Sequence, residues 1–227
     1  MTNLKLDNTT ISVLKSFSLI NPSMVFKEGS TVSTVSPTKT IMARAKVPVK
    51  FDRRFAIYNL SRFLNTIGMF NDPKLNIQDK IVKISDASGT KDVNYTLADE
   101  NMIPVPATKE PSFPEGEIKF SLTIESLKEV EKALSILSLP ELAIVGDGSK
   151  ISIQAVDTKN LSGDIYKIDV GESDKVFTVI FKPENMSVLS KNLTSKYDVE
   201  ISSKGFSHFK AENLEYWIAI ESTSKFN

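Results

Sequence analysis

The chain has 227 residues, of which 41% are hydrophobic and 25% charged, with 28 basic and 28 acidic side chains, one histidine and no cysteine. Such a composition belongs to a folded globular chain of one large or two smaller domains, and it excludes a disulfide framework, a thiol nucleophile and a cysteine-built metal site. No apolar run approaches the roughly 18 residues needed to span a bilayer, and the first residues carry no apolar leader stretch.

In chain order, Val13, Leu14, Phe17 and Ile20 predict a first helix from Asp7 or Asn8 to about Ile20, stopped by Asn21-Pro22. Short strands follow over Met24–Lys27, Thr31–Val35, Thr40–Lys46 and Val49–Asp52, with turns at Glu28-Gly29 and Pro37. The stretch from Phe55 to Phe70 holds two periods. It is extended and apolar up to Tyr58. From Asn59, a suitable N-cap, its apolar residues fall at Leu60, Phe63, Leu64, Ile67 and Phe70, the spacing of an amphipathic helix that Asn71-Asp72-Pro73 ends. No acidic residue lies between Phe55 and Phe70, and Arg62 sits among Ser61, Asn65 and Thr66. Strands are expected over Leu75–Gln78, Ile81–Asp86 and Asp92–Leu97.

Residues 99–116 hold four prolines and read as a stiff connector between an N-terminal domain, 1–98, and a C-terminal domain, 117–227. The same grammar then recurs. A strand over Glu117–Ile124 leads into a helix over Glu125–Leu137 with Leu127, Val130, Leu134 and Leu137 on one face. Strands follow at Glu141–Val145, Lys150–Val156 and Ile165–Val170. A last unit opens with the strand Val176–Phe181 and a helix from Pro183 to Leu193 with Met186, Leu189 and Leu193 inward. It closes with strands over Tyr197–Ser202, Phe206–Glu212 and Tyr216–Ser222. The chain thus reads as four copies, alike in pattern only, of strand-helix-strands.

Opposite each helix's apolar face lies one basic residue: Lys15, Arg62, Lys132 and Lys191. The third helix mixes Glu125, Glu129 and Glu131 with Lys128 and Lys132. Sparse cations of this kind give weak, salt-sensitive phosphate contacts without base reading. The halves differ in charge: residues 1–110 carry 15 basic and 10 acidic side chains, residues 111–227 carry 13 and 18, which favours head-to-tail contact between copies. No catalytic constellation stands out. His208, in an alternating stretch, reads as a structural or surface histidine. No Gly-Xaa-Ser-Xaa-Gly elbow exists, and Gly146-Asp147-Gly148 reads as a hairpin turn rather than a phosphate loop. The residues by themselves leave open a non-catalytic two-domain β-rich interaction scaffold and a β-rich hydrolase using carboxylates.

The Asp7–Asn21 helix, Ala56-Ile57-Tyr58-Asn59-Leu60 with Phe63-Leu64, Pro114 with Glu117-Ile118, Glu125-Ser126-Leu127 and the closing Tyr216-Trp217-Ile218-Ala219-Ile220-Glu221 together resemble the DNA sliding clamps, the polymerase processivity factors of T-even-type tailed phages. The resemblance implies an α+β DNA-clamp fold: two similar domains, each of two strand-helix-strands units, sheets outside and helices lining a central hole. It implies a head-to-tail homotrimer around duplex DNA with no cofactor and no catalysis. The implied partners are the replicative DNA polymerase, an ATP-dependent clamp loader, and RNA polymerase with phage late-transcription factors, in the cytoplasm of the infected bacterium. Carried onto this sequence, the lumen residues expected are Lys15, Arg62, Lys128, Lys132 and Lys191. A partner pocket is expected at Val35, Met102, Ile103 and Val105, and subunit contact between Val93, Tyr95, Leu97 and Ile165, Tyr166, Ile168.

Overall fold

A computed structural model describes residues 4–106, 115–160, 162–191 and 193–227. They fall into two compact units, within Met1–Thr108 and Lys109–Asn227. The connector residues 107–114 lie outside the described residues.

The first unit opens with helix α1 (Asn8–Ile20), whose first turn is closed by the Asp7 carboxylate accepting from the Thr10 N–H at 2.9 Å. Strands β1 (Met24–Phe26), β2 (Gly29–Val35) and β3 (Ile41–Phe51) follow, then β4 (Phe55–Ile57), helix α2 (Leu60–Ile67), and β5 (Lys74–Ile77), β6 (Ile81–Ser85) and β7 (Asp92–Thr96). A single 3-10 turn covers Glu100–Met102. β2 and β3 form one hairpin, β5, β6 and β7 an antiparallel meander, and β1 pairs with β4. Phe26 stacks on Phe55 with centroids 4.5 Å apart and lies 5.0 Å from Phe51, so aromatic contacts join β1, β3 and β4 beneath the helices.

The second unit runs β8 (Ile118–Thr123), helix α3 (Ile124–Ile136), β9 (Glu141–Asp147), β10 (Lys150–Val156), β11 (Tyr166–Glu172), β12 (Val176–Phe181), helix α4 (Pro183–Met186), β13 (Lys196–Ser202), β14 (Phe206–Lys210), β15 (Leu214–Ala219) and β16 (Lys225–Phe226). One sheet has the order β11-β10-β9-β12-β16; in the other, β13 lies between β8 and β14, and β14 pairs with β15. Tyr197 is fully buried, donates to the Leu189 carbonyl at 3.1 Å and meets Phe209 and Tyr216 edge-on.

The repeats exchange strands. In the second unit β8, which leads into α3, pairs with β13, which follows α4; β12, which leads into α4, pairs with β9, which follows α3. The first unit does the same in shorter form. β4 before α2 pairs with β1 after α1, and Leu4 before α1 bridges Leu75 on β5 after α2, through two 2.8 Å bonds. The architecture is α+β, with the strand-helix-strands pattern read from the sequence.

Several boundaries depart from the sequence reading. β3 is one strand through Pro48, because the alternation Ile41, Ala43, Ala45, Val47, Val49, Phe51 keeps one face buried without a break. α2 ends at Ile67, with Gly68 at its C-cap, so Phe70 lies outside it. α3 starts one residue early at Ile124, capped by the Thr123 side chain, and Leu137 is outside it and 39% exposed. The largest correction is α4, which stops at Met186 instead of continuing to Leu193. The Ser187 and Ser190 hydroxyls bond back to the Glu184 and Ser187 carbonyls, and the Leu189 N–H closes a tighter turn on Met186. Met186 and Leu189 are buried as expected, while Leu193 is only half-buried. β16 had no sequence counterpart, and β11 begins at Tyr166 rather than Ile165.

Two glycines separate packing from conformation. A Cβ on Gly146 would stand 2.3 Å from Cε1 of Phe177, whereas on Gly68 it meets nothing nearer than the Asn65 carbonyl at 3.4 Å. Gly146→Ala is therefore expected to lower unfolding free energy by about 1–3 kcal/mol through overpacking. Gly68→Ala, at a helical φ, should be neutral or stabilising by up to about 1 kcal/mol. Urea denaturation of both variants checks the pair, and equal effects would contradict it.

Candidate nucleic-acid interface

In the first unit α1 and α2 pack against each other. α1 buries Val13, Leu14, Phe17 and Ile20 and α2 buries Leu60, Phe63, Leu64 and Ile67. What remains outward is uncharged except for one cation per helix: Asn8, Thr9, Ser12, Lys15 and Leu19 on α1, Ser61, Arg62 and Asn65 on α2. The Arg62 guanidinium carbon lies 6.0 Å from the centre of the Tyr95 ring. Tyr95 also donates its hydroxyl to the Asn59 carbonyl at 3.1 Å and packs edge-on to Phe63 at 5.1 Å. It therefore fixes the N-terminal turn of α2 and the root of Arg62 together. Burial pushes the Tyr95 phenol above its ordinary value, with Arg62 pulling the other way.

The second unit is built differently. α3 exposes Glu125, Lys128, Glu129 and Lys132, and presents Glu131 to the turn that follows α4. Glu131 is half-buried, and its Oε1 is enclosed without a hydrogen-bond partner among the described residues. Burial raises its carboxyl above the usual range, against the hydroxyl of Ser190 and the charges of Lys191 and Lys128. Lys128 and Lys191 are thus brought together around one carboxylate, while Lys15 and Arg62 occupy the acid-free surface of the other unit. Helical periodicity picked out Lys15, Arg62, Lys132 and Lys191, and the resemblance added Lys128; all five are exposed, but Lys191 lies beyond the end of α4 and on no helix. Periodicity missed the tie between Tyr95 and Arg62 and the semi-buried Glu131; the Lys128–Glu131 spacing of three on one helix was the available signal.

The remaining expected residues separate. Ile103 is buried with Val25 and Ala56, and Ala98 packs against them, so it anchors its own segment. Met102 and Val105 are exposed, at 75% and 42%, and Val35 is half-buried at the end of β2. Val93 and Tyr95 lie on β7, at the edge of its three-stranded sheet, and Leu97 follows that strand. Tyr166 and Ile168 lie on β11, at the edge of the five-stranded sheet, with Ile165 just before it and 60% exposed. The Tyr166 hydroxyl donates to Glu129 at 3.3 Å. A cavity of about 460 Å³ beside it is lined by Glu129, Lys132, Ala133, Ile136, Leu137 and Tyr166. His208 stacks on Trp217 with centroids 4.8 Å apart, and burial lowers its pKa against the pull of Glu215 and Glu200. Among the described residues no cluster of three or more metal-ligating side chains occurs, and no helix is long and apolar enough to cross a membrane.

This arrangement is the fold of the DNA clamps. Proliferating cellular nuclear antigen from Entamoeba histolytica superimposes with a TM-score of 0.71 at 14% identity, over 96% of this chain and 98% of that one. The PCNA2-PCNA3 complex from Sulfolobus tokodaii gives 0.68 at 10% identity, over 97% and 99%. A family model for the DNA polymerase processivity factor matches residues 5–102, and one for the gp45 sliding clamp, C terminal, matches residues 119–222. The sliding clamp of Vibrio phage KVP40 is 31% identical over 225 residues, covering 96% of this chain and 99% of the relative. That of Enterobacteria phage T4 is 27% identical over 231 residues, covering 97% and 98%. The chain belongs to the family of phage sliding clamps, the DNA polymerase processivity factors.

Glu131 carries a pH prediction. Its folded-state pKa is raised, so the folded state holds this proton more tightly than the unfolded chain does. The stability associated with it is present below the ordinary carboxyl value of 4.5 and is lost as pH rises through the raised value. Glu131→Gln should therefore unfold at higher urea than the parent near neutral pH, with the gap closing in acid. A lower midpoint near neutral pH would show that Lys191 and Lys128 outweigh the burial.

Proposed function

We propose that the chain is a ring-forming sliding clamp that encircles duplex DNA as a head-to-tail homotrimer and tethers the replicative DNA polymerase of the phage. The observation that carries this reading is the outward surface of α1 and α2, kept free of carboxylates around Lys15 and Arg62, on a chain with a clamp fold. Duplex DNA carries a negative charge about every 1.7 Å along its axis, so an uncharged surface with isolated cations holds it weakly and without regard to sequence. Lys128, Lys132 and Lys191 add contacts from the second unit, moderated by Glu129 and Glu131.

Closure is supported by the two sheet edges. β7 offers an unpaired backbone edge in the first unit and β11 one in the second, and a neighbour's edge pairing with each removes two exposed ladders. Val93, Tyr95 and Leu97 of one copy would face Ile165, Tyr166 and Ile168 of the next. Residues 1–98 and 117–227 then act as the two clamp domains, joined by the connector 99–116. Met102 and Val105, with Val35, form the docking place for short partner tails, and Ile103 holds that segment down. An ATP-dependent loader opens the ring, since the clamp performs no catalysis of its own. RNA polymerase with phage late-transcription factors is a further partner, all within the cytoplasm of the infected host.

Retention on DNA tests the reading. The chain loaded with loader and ATP should stay on closed circular DNA and leave once the circle is cut. Lys15→Glu with Arg62→Glu should cut loading about tenfold or more near physiological salt while the assembly keeps a mass three times 25.2 kDa. Equal retention on circular and linear DNA, or a monomeric mass, would overturn the topological model.

A further inference from the structure

Most of the basic surplus of the first half lies off its helices. Residues 24–54 hold seven basic and two acidic side chains, and their balance of five equals the whole surplus of residues 1–110. Much of it is ordered along one strand. β3 alternates strictly, so Met42, Arg44, Lys46, Pro48 and Lys50 all point away from the buried face. The register sets Val35 beside Met42, Ser33 beside Arg44 and Thr31 beside Lys46. Neither β2 nor β3 contains a carboxylate. Lys46 and Lys50 are exposed and make no ion pair among the described residues, whereas the neighbouring Arg53 and Arg54 are taken up by Asp79 and Glu100.

We propose that this outward face of the β2–β3 hairpin receives an extended acidic protein segment, its carboxylates along Lys46 and Lys50 and its apolar end at Val35 and Met42. The proposal rests on the reading of the chain as a clamp whose partners dock by short tails, and it names their chemistry. Three features fix the occupant. Same-side residues of a strand repeat about every 6.8 Å, so carboxylates at alternate positions of an extended peptide match the cations of β3. The surface grades from apolar at Val35 and Met42 to basic at Lys50, which sets the direction of the segment. Nucleic acid fits poorly. A duplex presents two phosphate rows across a groove about 12 Å wide, but β2 offers only the hydroxyls of Thr31 and Ser33 beside the cations. A single strand needs aromatic platforms, and none of the outward residues of β2 and β3 is aromatic.

The test uses the full chain and a labelled peptide with aspartates at alternate positions ahead of a Leu-Phe end. An otherwise identical peptide carries asparagines. Fluorescence anisotropy at low salt should show the aspartate peptide binding about tenfold tighter, with the advantage fading as salt is added. Lys46→Glu with Lys50→Glu should abolish that preference and transfer it to a peptide with lysines at the same positions. Both changes are at exposed sites, and an unchanged melting temperature shows that the variant is folded. Equal binding of the two peptides, or a preference untouched by the double reversal, would overturn the proposal. So would a short DNA duplex that competes for the strip and loses affinity with the same variant. Failure of the clamp reading would appear separately, as loss of the parent chain's retention on closed circles.

Discussion

The structure depends on a reciprocal exchange of strands between neighbouring repeats. No repeat closes its own sheet: the strand that leads into one helix pairs with the strand that follows the other helix of the same unit. A single strand-helix-strands unit would leave one edge of its first strand and one apolar helix face uncovered. Exchange satisfies both at once. It also places two helical segments side by side in each unit, α1 beside α2 and α3 beside the turn after α4. The cost is long loop closure, since partners such as Leu4 and Leu75 are far apart in sequence. Each unit is therefore expected to fold as a whole rather than by halves.

The helices were legible where a cap and a period coincide. Asp7 and Asn59 accept the N–H groups of Thr10 and Arg62 at 2.9 and 2.8 Å, and the buried faces of α1 and α2 follow the apolar spacing. α4 shows why period alone fails. Pro183 starts it correctly and Met186 and Leu189 are buried, but the serine hydroxyls compete for backbone carbonyls and break the ladder after one turn. The buried side chains keep helical spacing without a helix to carry them. Strand pairing was illegible for another reason. Alternation tells which face of a strand is buried but not which strand lies beside it, so neither the exchange nor β16 could be read. Of the candidate surface, the positions of the cations were legible and their surroundings were not. That Tyr95 lies over Arg62, and that Glu131 draws Lys128 and Lys191 together, both follow from contacts between residues distant in sequence.

The two units consequently differ in kind beneath a shared fold. Around Lys15 and Arg62 the outward helix surface is otherwise uncharged, so the cations act at full strength but are few. On α3 the lysines are more numerous and are offset by Glu125, Glu129 and Glu131. Glu131 is the least solvated of these, and a carboxylate held partly out of water is a stronger local counter-charge than an exposed one. If both surfaces face DNA as proposed, each unit reaches weak attraction by a different route, dilution in the first and compensation in the second.

Weak attraction is what a topological tether requires. Each firm phosphate contact contributes close to one unit to the salt dependence of binding, and contacts that must break and re-form at every step along the duplex roughen the path. A ring that cannot dissociate sideways gains nothing from tight contacts and loses mobility by them. The densest run of positive charge in the first unit accordingly lies on the β2–β3 sheet face, not on the helices that would meet DNA. With the proposed function, segregating charge in this way would let one small domain hold an acidic protein segment on one surface and leave a polyanion free to slide past another. The same lysines moved to exposed positions of α1 and α2 would keep the fold, yet would turn the proposed sliding surface into a binding one.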